Sequence, residues 1–174
     1  MNGRTSESEF LSLPESMRPT ELVDGELVMA PSPSFWHQEV LSRLVMALRA
    51  WASTRPEPVT VVQAPMDVRF AADRILQPDA MVFLAALERD VASPIRRIPE
   101  LCIEVLSSNR AYDRVTKRFM YAEAGVAEYW LVDPAGIIER RSGPGLARRE
   151  EIEARLTSEL LPGFELDVGE LLER

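Results

Sequence analysis

Residues 99–134 read PELCIEVLSSNRAYDRVTKRFMYAEAGVAEYWLVDP. Within this stretch, Leu101–Leu106 form an apolar run that is interrupted by one carboxylate, Glu104. A continuous apolar run of this length is typical of a strand that is buried on both faces. Because an uncompensated buried charge costs several kcal/mol, we expect Glu104 to have a partner.

The rest of the stretch predicts a helix and a second strand. Residues 107–109 supply capping side chains, residues 111–124 predict a helix, and Gly125 is placed to end it. Residues 127–133 then predict a strand, which Pro134 ends. Strand, helix and strand in this order indicate a βαβ unit with a parallel crossover.

The other elements follow from turn residues and apolar spacing. Glu21–Met29 predicts a hairpin around an Asp-Gly turn, and residues 35–53 predict the longest helix. Residues 147–161 fit outer antiparallel strands, with a helix at 149–160 as the alternative. Further strands are predicted at residues 59–62, 66–70 and 137–141, and within residues 75–84, where Asp79 is at the head of the strand. Short helices are predicted at residues 6–12 and 168–173.

Length and composition limit the class of protein. We assign residues 1–174 to a single domain, which is long enough for a sizeable core. The sequence shows no apolar stretch of membrane-spanning length and no secretory signal pattern, so we expect no membrane association. The single cysteine, Cys102, lies in the apolar strand, where a small buried hydrophobic residue is expected. These features fit a cytoplasmic protein.

The net charge of −8 argues against a protein that coats nucleic acid, because such proteins carry a basic face. An acidic protein can still carry a local basic rim, and a carboxylate-lined metal site would itself lower the net charge. The candidates for such a rim are Arg96, Arg97, Arg110, Arg114, Lys117 and Arg118. The charge therefore leaves DNA binding open.

Lys117 is the only lysine among the 20 basic residues of the chain. Arginine is a planar, permanently charged fork, whereas lysine is a compact point charge with a tunable pKa. The presence of lysine at this position therefore indicates a role that arginine could not fill. The alternative is that one lysine remained by chance.

Two carboxylates are candidates for a metal site. Asp79 follows Pro78 at the start of a buried strand, and Glu104 lies inside the next apolar strand. Neighbouring strands could bring both to one edge of the sheet, where the Val105 carbonyl and water would complete an oxygen site of the kind that Mg²⁺ accepts. A metal there can polarise a phosphoryl oxygen, and a nearby lysine can neutralise developing charge.

The chain resembles the PD-(D/E)XK nuclease superfamily and, within it, the Uma-type restriction-endonuclease-like proteins of bacteria. The matching pieces occur in the right order over nearly the whole chain: Glu21–Glu26, His37 after a proline-rich break, Pro78-Asp79, Glu104–Ser107, Asp113, Lys117, Tyr121, Gly125–Pro134 and Leu161–Phe164.

This resemblance implies an α/β fold with a central mixed sheet flanked by helices, an N-terminal hairpin and C-terminal antiparallel strands. It implies Mg²⁺- or Mn²⁺-dependent cleavage of DNA, with Asp79 and Glu104 as metal ligands and Lys117 as a catalytic residue. It also suggests a homodimer, for which Tyr129 or Trp130, on opposite faces of one strand, could supply an interface. The candidate accessory residues are Glu21, Glu26, His37, Asp113 and Tyr121. For His37, the alternative is an ordinary helix-end or surface residue.

One departure from the superfamily pattern stands out. The motif lysine is expected two residues after the glutamate, on the same strand face, but that position is Leu106. An alternative place for the motif lysine is the following helix, where Asp113, Lys117 and Tyr121 are spaced to share one face. A solvated Asp-Lys pair is the alternative. Three functions stay open: a DNA endonuclease, an inactive nuclease-fold module that binds DNA or protein, and another metal-dependent phosphohydrolase.

Overall fold

A computed structural model describes residues 4–14, 20–29, 32–106 and 112–173 of the chain. The strands in these ranges are β1 (Thr20–Val23), β2 (Glu26–Met29), β3 (Thr60–Gln63), β4 (Val68–Ala71), β5 (Arg74–Leu76), β6 (Ala80–Phe83), β7 (Leu101–Val105), β8 (Glu128–Asp133), β9 (Ile137–Ser142), β10 (Arg148–Ile152), β11 (Arg155–Thr157) and β12 (Glu165–Asp167). The helices are α1 (Glu7–Leu11), α2 (Phe35–Ala52), α3 (Arg118–Ala124) and α4 (Val168–Leu172), with a π-helical turn at Tyr112–Lys117 and a 3₁₀ turn at Pro144–Leu146. None of these helices is long and apolar enough to cross a lipid bilayer.

The central sheet has six strands in the order β10-β9-β8-β7-β6-β3. β7 and β8 are parallel and are joined through the π-helical turn and α3, whereas the other pairs are antiparallel. The predicted βαβ unit and the mixed sheet are therefore confirmed. A second, antiparallel sheet contains the N-terminal hairpin in the order β2-β1-β5-β4, and β11 pairs with β12 near the C-terminus.

Hydrophobic cores lie on both faces of the central sheet. On one face, α2 packs against Trp130 and other inward residues of β6, β7 and β8. On the opposite face, α3 and β4 pack against Cys102, Tyr129 and Leu106. Tyr129 and Trp130 thus occupy opposite faces, as predicted, and both are fully buried rather than available at a surface. Cys102 is buried as expected, and burial raises the pKa of its thiol.

Two local predictions need correction or fall outside the described ranges. The strand predicted to begin at Pro78-Asp79 is present as β6, while the preceding residues form β5 in the other, four-stranded sheet. The alternative of a helix at 149–160 is wrong, since β10 and β11 occupy that segment. Gly125 ends α3 with a φ of 85°, as predicted, whereas the capping residues 107–109 lie outside the described residues.

Candidate active site

Asp79 and Glu104 occupy neighbouring positions at one end of the β6–β7 ladder. The two strands are antiparallel with Ala80 opposite Ile103, so Asp79 and Glu104 are the next pair in the same register. Opposed side chains of an antiparallel pair project from the same face of the sheet. The Val105 N–H also donates to Asp79 Oδ2 across 2.8 Å, which fixes the orientation of that carboxylate. The fold thus brings together the two carboxylates assigned to a metal site from the sequence.

His37 reaches the same edge from the first turn of α2. The Ser34 hydroxyl caps this helix by accepting a hydrogen bond from the His37 N–H at 3.1 Å. His37 Nε2 lies 3.1 Å from Asp79 Oδ2, and Nδ1 is buried with no hydrogen-bond partner in the described part of the chain. Burial lowers the pKa of His37, but the hydrogen bond and charge of Asp79 outweigh it, so the pKa lies above its usual value. His37 is therefore buried beside Asp79 and is not a surface residue.

Lys117 bridges two buried glutamates. Its Nζ lies 2.9 Å from Glu104 Oε1 and 3.1 Å from Glu21 Oε1. Burial lowers the pKa of Lys117, but the carboxylates around it, above all Glu104 and Glu21, raise it well above its usual value, so the group is a cation. The alternative of a solvated Asp113–Lys117 pair is wrong, because both side chains are buried.

Glu104 has a second donor in Tyr121, whose hydroxyl lies 2.7 Å from the same Oε1 atom. Burial raises the pKa of Glu104 well above its usual value, although the charge of Lys117 acts in the opposite direction. Two donors converge on one oxygen, an arrangement that favours the carboxylate form. A buried Glu104 is expected to have a partner, and the structure gives it two, Lys117 and Tyr121, both from the helical segment that follows β7.

Glu21 is held in place by two further donors that the sequence did not reveal. The backbone N–H of Gln77 donates to Glu21 Oε1 across 2.9 Å, and the Tyr112 hydroxyl donates to Oε2 across 3.0 Å. The Tyr112 ring also lies under Lys117, with Nζ 5.7 Å from the ring centroid. Neither Gln77 nor Tyr112 carries a sequence signal that could have identified it, since each acts through contacts formed only in the folded chain.

Asp113 and Lys117 lie on the π-helical turn that precedes α3. A π-helical turn closes i→i+5 hydrogen bonds and is a rare feature that often occurs at functional sites. The predicted helix is therefore present, but its first turn is wider than the α-helical spacing assumed for residues 113, 117 and 121.

The cluster has an excess of negative groups. Four acidic residues face one lysine and one histidine: Glu21, Asp79, Glu104, Asp113, Lys117 and His37. Burial raises the pKa of Asp113 to about 6, helped by the charges of Asp79 and Glu21 and opposed by Lys117. Such a surplus of carboxylates favours the binding of a cation.

The oxygen donors at the edge fit a hard divalent ion. Within the described ranges, Asp79 Oδ1 and Glu104 Oε2 have no hydrogen-bond donor, while the other oxygen of each carboxylate is occupied. The Asp79 side chain is 21% exposed and can be reached from solvent. In the same ranges, no group of three or more His, Cys, Asp or Glu residues is arranged to hold an ion. The two carboxylates are instead the number of protein ligands that would suit Mg²⁺, which is commonly held by one or two carboxylates and keeps several waters.

Other candidates lie away from this cluster. Glu26 is exposed on β2 and contributes nothing to the site in this structure. Of the candidate rim, Arg96 pairs with Glu7, Arg97 with Glu100, and Arg114 with Asp133 and Glu139, while Lys117 is buried rather than part of a rim. Arg118 is half-buried, and Arg110 falls outside the described residues. Leu106, at the position of the motif lysine, packs in the core beside α3.

Comparison with known proteins shows the family of the chain and a similar fold. The family model described as "Uma2: Putative restriction endonuclease" matches residues 7–169. The fold is similar to the crystal structure of a "putative nuclease belonging to DUF820" from Anabaena variabilis, with a TM-score of 0.81 and 22% identity over 96% of this chain and 97% of that chain. At this identity the similarity shows the fold alone. None of the curated proteins matches the chain.

Proposed function

Because the chain belongs to the Uma2 family of restriction-endonuclease-like proteins, we propose that it is a metal-dependent endonuclease that hydrolyses phosphodiester bonds in DNA. The observation that carries the proposal is the convergence of Asp79, Glu104 and Lys117 at one end of the central sheet. Two carboxylates and one cation in this arrangement suit hydrolysis at a phosphate.

The side chains of Asp79 and Glu104, together with the Val105 carbonyl, would hold Mg²⁺ or Mn²⁺. Such an ion, when bound, polarises a phosphoryl oxygen and lowers the pKa of its bound water. His37 and the Val105 N–H orient Asp79, and Tyr121 and Lys117 orient Glu104. These contacts hold the ligands in one geometry before metal arrives.

Lys117 would act as a fixed positive charge. Its ammonium has three N–H donors. One donates to Glu104, and the ion pair with Glu21 adds a second carboxylate beside Nζ, so a remaining N–H would be available to a water or a phosphate oxygen. A group whose pKa lies well above 10.5 does not serve as a general base near neutral pH. Its contribution is instead to orient the attacking water and to balance charge that develops on the phosphate.

An inactive nuclease-fold module that binds DNA or protein is the second candidate function. The observation that favours it is Leu106, an apolar core residue where the superfamily pattern has its lysine. The proposed roles of DNA as partner, of a homodimer as the assembly and of the cytoplasm as the location stay predictions from the sequence.

Plasmid cleavage with Mg²⁺ or Mn²⁺ tests the proposal. We expect nicking or linearisation by the parent protein, loss of activity in EDTA, and a loss of at least about a hundredfold in Asp79→Asn, which keeps the size of the side chain. The exposed Asp90→Asn variant is the matched control and should cleave like the parent. A folded parent that binds DNA without cleaving it in either metal would favour the second candidate.

A further inference from the structure

The Lys117 ammonium contacts carboxylates that belong to two different sheets, the four-stranded sheet and the central sheet. Glu21 belongs to β1 of the four-stranded sheet, whereas Glu104 belongs to β7 of the central sheet. Nζ contacts an oxygen of each, at 3.1 Å and 2.9 Å, and the lysine is 6% exposed. The position of the lysine is therefore fixed by one carboxylate from each sheet.

Glu21 is a rigid anchor. Its side chain is only 3% exposed, and each of its oxygens has its own neutral donor, the Gln77 N–H on Oε1 and the Tyr112 hydroxyl on Oε2. Donors that satisfy both oxygens hold a carboxylate in a single orientation, and this orientation does not depend on the lysine. Lys117 thus meets an acceptor that is already in place.

Glu104 has two interactions in the proposed site, because it accepts a hydrogen bond from Lys117 and is also a proposed metal ligand. A divalent ion on Glu104 would draw electron density from the carboxylate and repel the ammonium beside it. Glu21, by contrast, is not a proposed metal ligand, and it is bound by a backbone N–H and a tyrosine hydroxyl. Its contact with Lys117 would therefore be retained when a metal ion occupies Glu104.

We propose that Glu21 is the positioning residue for Lys117, and that it holds the ammonium at its place beside Glu104 when the metal site is filled. This inference rests on the proposed nuclease function only in one respect, which is that the charge of Lys117 acts on a phosphate. It assigns to Glu21 a role that supports the reaction through another residue rather than by contact with the substrate.

Because Lys117 is the only lysine of the chain, the mobility of its side chain can be measured directly by NMR. Protein labelled only at lysine with ¹³C and ¹⁵N gives one side-chain signal, from Lys117. We expect the order parameter of its terminal group at pH 7 to be that of a rigid group in the parent, both in EDTA and in 10 mM Mg²⁺. In Glu21→Gln, which keeps the shape of the side chain and removes its charge, we expect the value to fall below about 0.6, with the larger fall in Mg²⁺.

Glu153→Gln, an exposed site in the turn between β10 and β11, is the charge-matched control and should leave the Lys117 signal unchanged. Tyr112→Phe removes one donor to Glu21 and leaves the carboxylate, so we expect a smaller fall. An unchanged order parameter in a folded Glu21→Gln protein overturns the inference. If Glu21→Gln does not fold, an unchanged value in Tyr112→Phe overturns it instead.

Cleavage kinetics separate this inference from the proposed function. With an active parent, we expect Glu21→Gln to lower kcat roughly ten- to a hundredfold with little change in KM, because the lysine contact matters in the transition state. If the parent does not cleave DNA but the lysine becomes mobile in Glu21→Gln, the nuclease proposal fails and the positioning role stands. If the parent cleaves and the lysine stays rigid, the reverse holds.

Discussion

Lys117 donates a hydrogen bond to Glu104 across 2.9 Å, although 13 residues separate the two in the sequence. The lysine comes from the helix that follows the strand of the glutamate, rather than from the strand itself. The strand position that the superfamily pattern gives to lysine is filled by Leu106, which extends the apolar core. The charge of the site and the packing of the sheet are thereby supplied by different elements.

Replacing Lys117 by arginine should reduce DNA cleavage by roughly ten- to a thousandfold, since the planar guanidinium cannot occupy the same point between Glu21 and Glu104. Because the site is buried, the larger group should also cost about 1–3 kcal/mol of unfolding free energy, measured with urea. Arg118→Lys, on the half-buried neighbouring position, is the control and should change neither quantity. Cleavage by Lys117→Arg at the parental rate would show that the only lysine is not part of the active site.

Mg²⁺ should bind to the Asp79–Glu104 edge and raise the melting temperature. At a concentration 100 times the Kd, binding to the folded state adds about 2.7 kcal/mol to the unfolding free energy. Asp79→Asn should abolish both the calorimetric binding signal and the rise in Tm caused by Mg²⁺. In EDTA, the variant should have a higher Tm than the parent, because it lacks one negative charge of a crowded acidic cluster. Equal Tm values with and without Mg²⁺ in the parent would contradict the metal site.

Asp113 should make the protein less stable as the pH rises from about 4 to about 7. Burial, with help from Asp79 and Glu21, raises its pKa from 3.8 to about 6, so the folded state binds the proton more tightly than the unfolded chain. The stability from this proton is fully present below the unfolded pKa and is lost as the pH rises through about 6. Relative to the parent in EDTA, Asp113→Asn should therefore gain about 2 kcal/mol of unfolding free energy between pH 4 and pH 7. A difference that does not vary with pH would show that Asp113 titrates at its usual pKa.

Two buried tyrosines allow the charge of Glu104 to be tested. Tyr121 donates to the Glu104 carboxylate at 2.7 Å, whereas Tyr129 donates to the backbone carbonyl of Asp113 at 3.0 Å, and both side chains are fully buried. Hydrogen bonds to charged groups are worth about 1.5–3 kcal/mol and those between neutral groups about 0.5–1.5 kcal/mol. We therefore expect Tyr121→Phe to lower the unfolding free energy more than Tyr129→Phe does. Equal losses in urea unfolding at pH 7 would indicate a protonated Glu104.

Much of the central fold could be predicted because its signals are local. The apolar run of β7, the Gly125 stop and the apolar run of β8 are contiguous in the sequence, and the structure confirms the parallel pair that they predict. The segment at 149–160 is ambiguous because Ile152, Leu156 and Leu160 recur every four residues, as in a helix. Pairing of β10 with β9 and of β11 with β12 decides in favour of strands. The pairing of β5 with β1 in a second sheet is not predictable, because no local signal in residues 74–76 indicates their partner strand.

The candidate site could be predicted only in part for the same reason. Asp79 and Glu104 are detectable because each lies in an apolar segment where a carboxylate is costly. The contact of Glu21 with Lys117, and the donors Gln77 and Tyr112, depend on how the second sheet docks beside the first, which no local pattern encodes. The widened helical turn is likewise a consequence of packing, since the residues that form it are ordinary helix residues.

The geometry of the site depends on the number of residues in the π-helical turn as well as on their identity. Removal of one residue between Asp113 and Lys117 would restore α-helical spacing and rotate Asp113 by about 100° relative to Lys117 and Tyr121. Every acidic and basic side chain of the cluster would be retained, yet Asp113 would leave the cluster. Among related chains, a one-residue insertion or deletion at this turn should therefore distinguish proteins with different active-site chemistry, even where all the acidic and basic residues are shared.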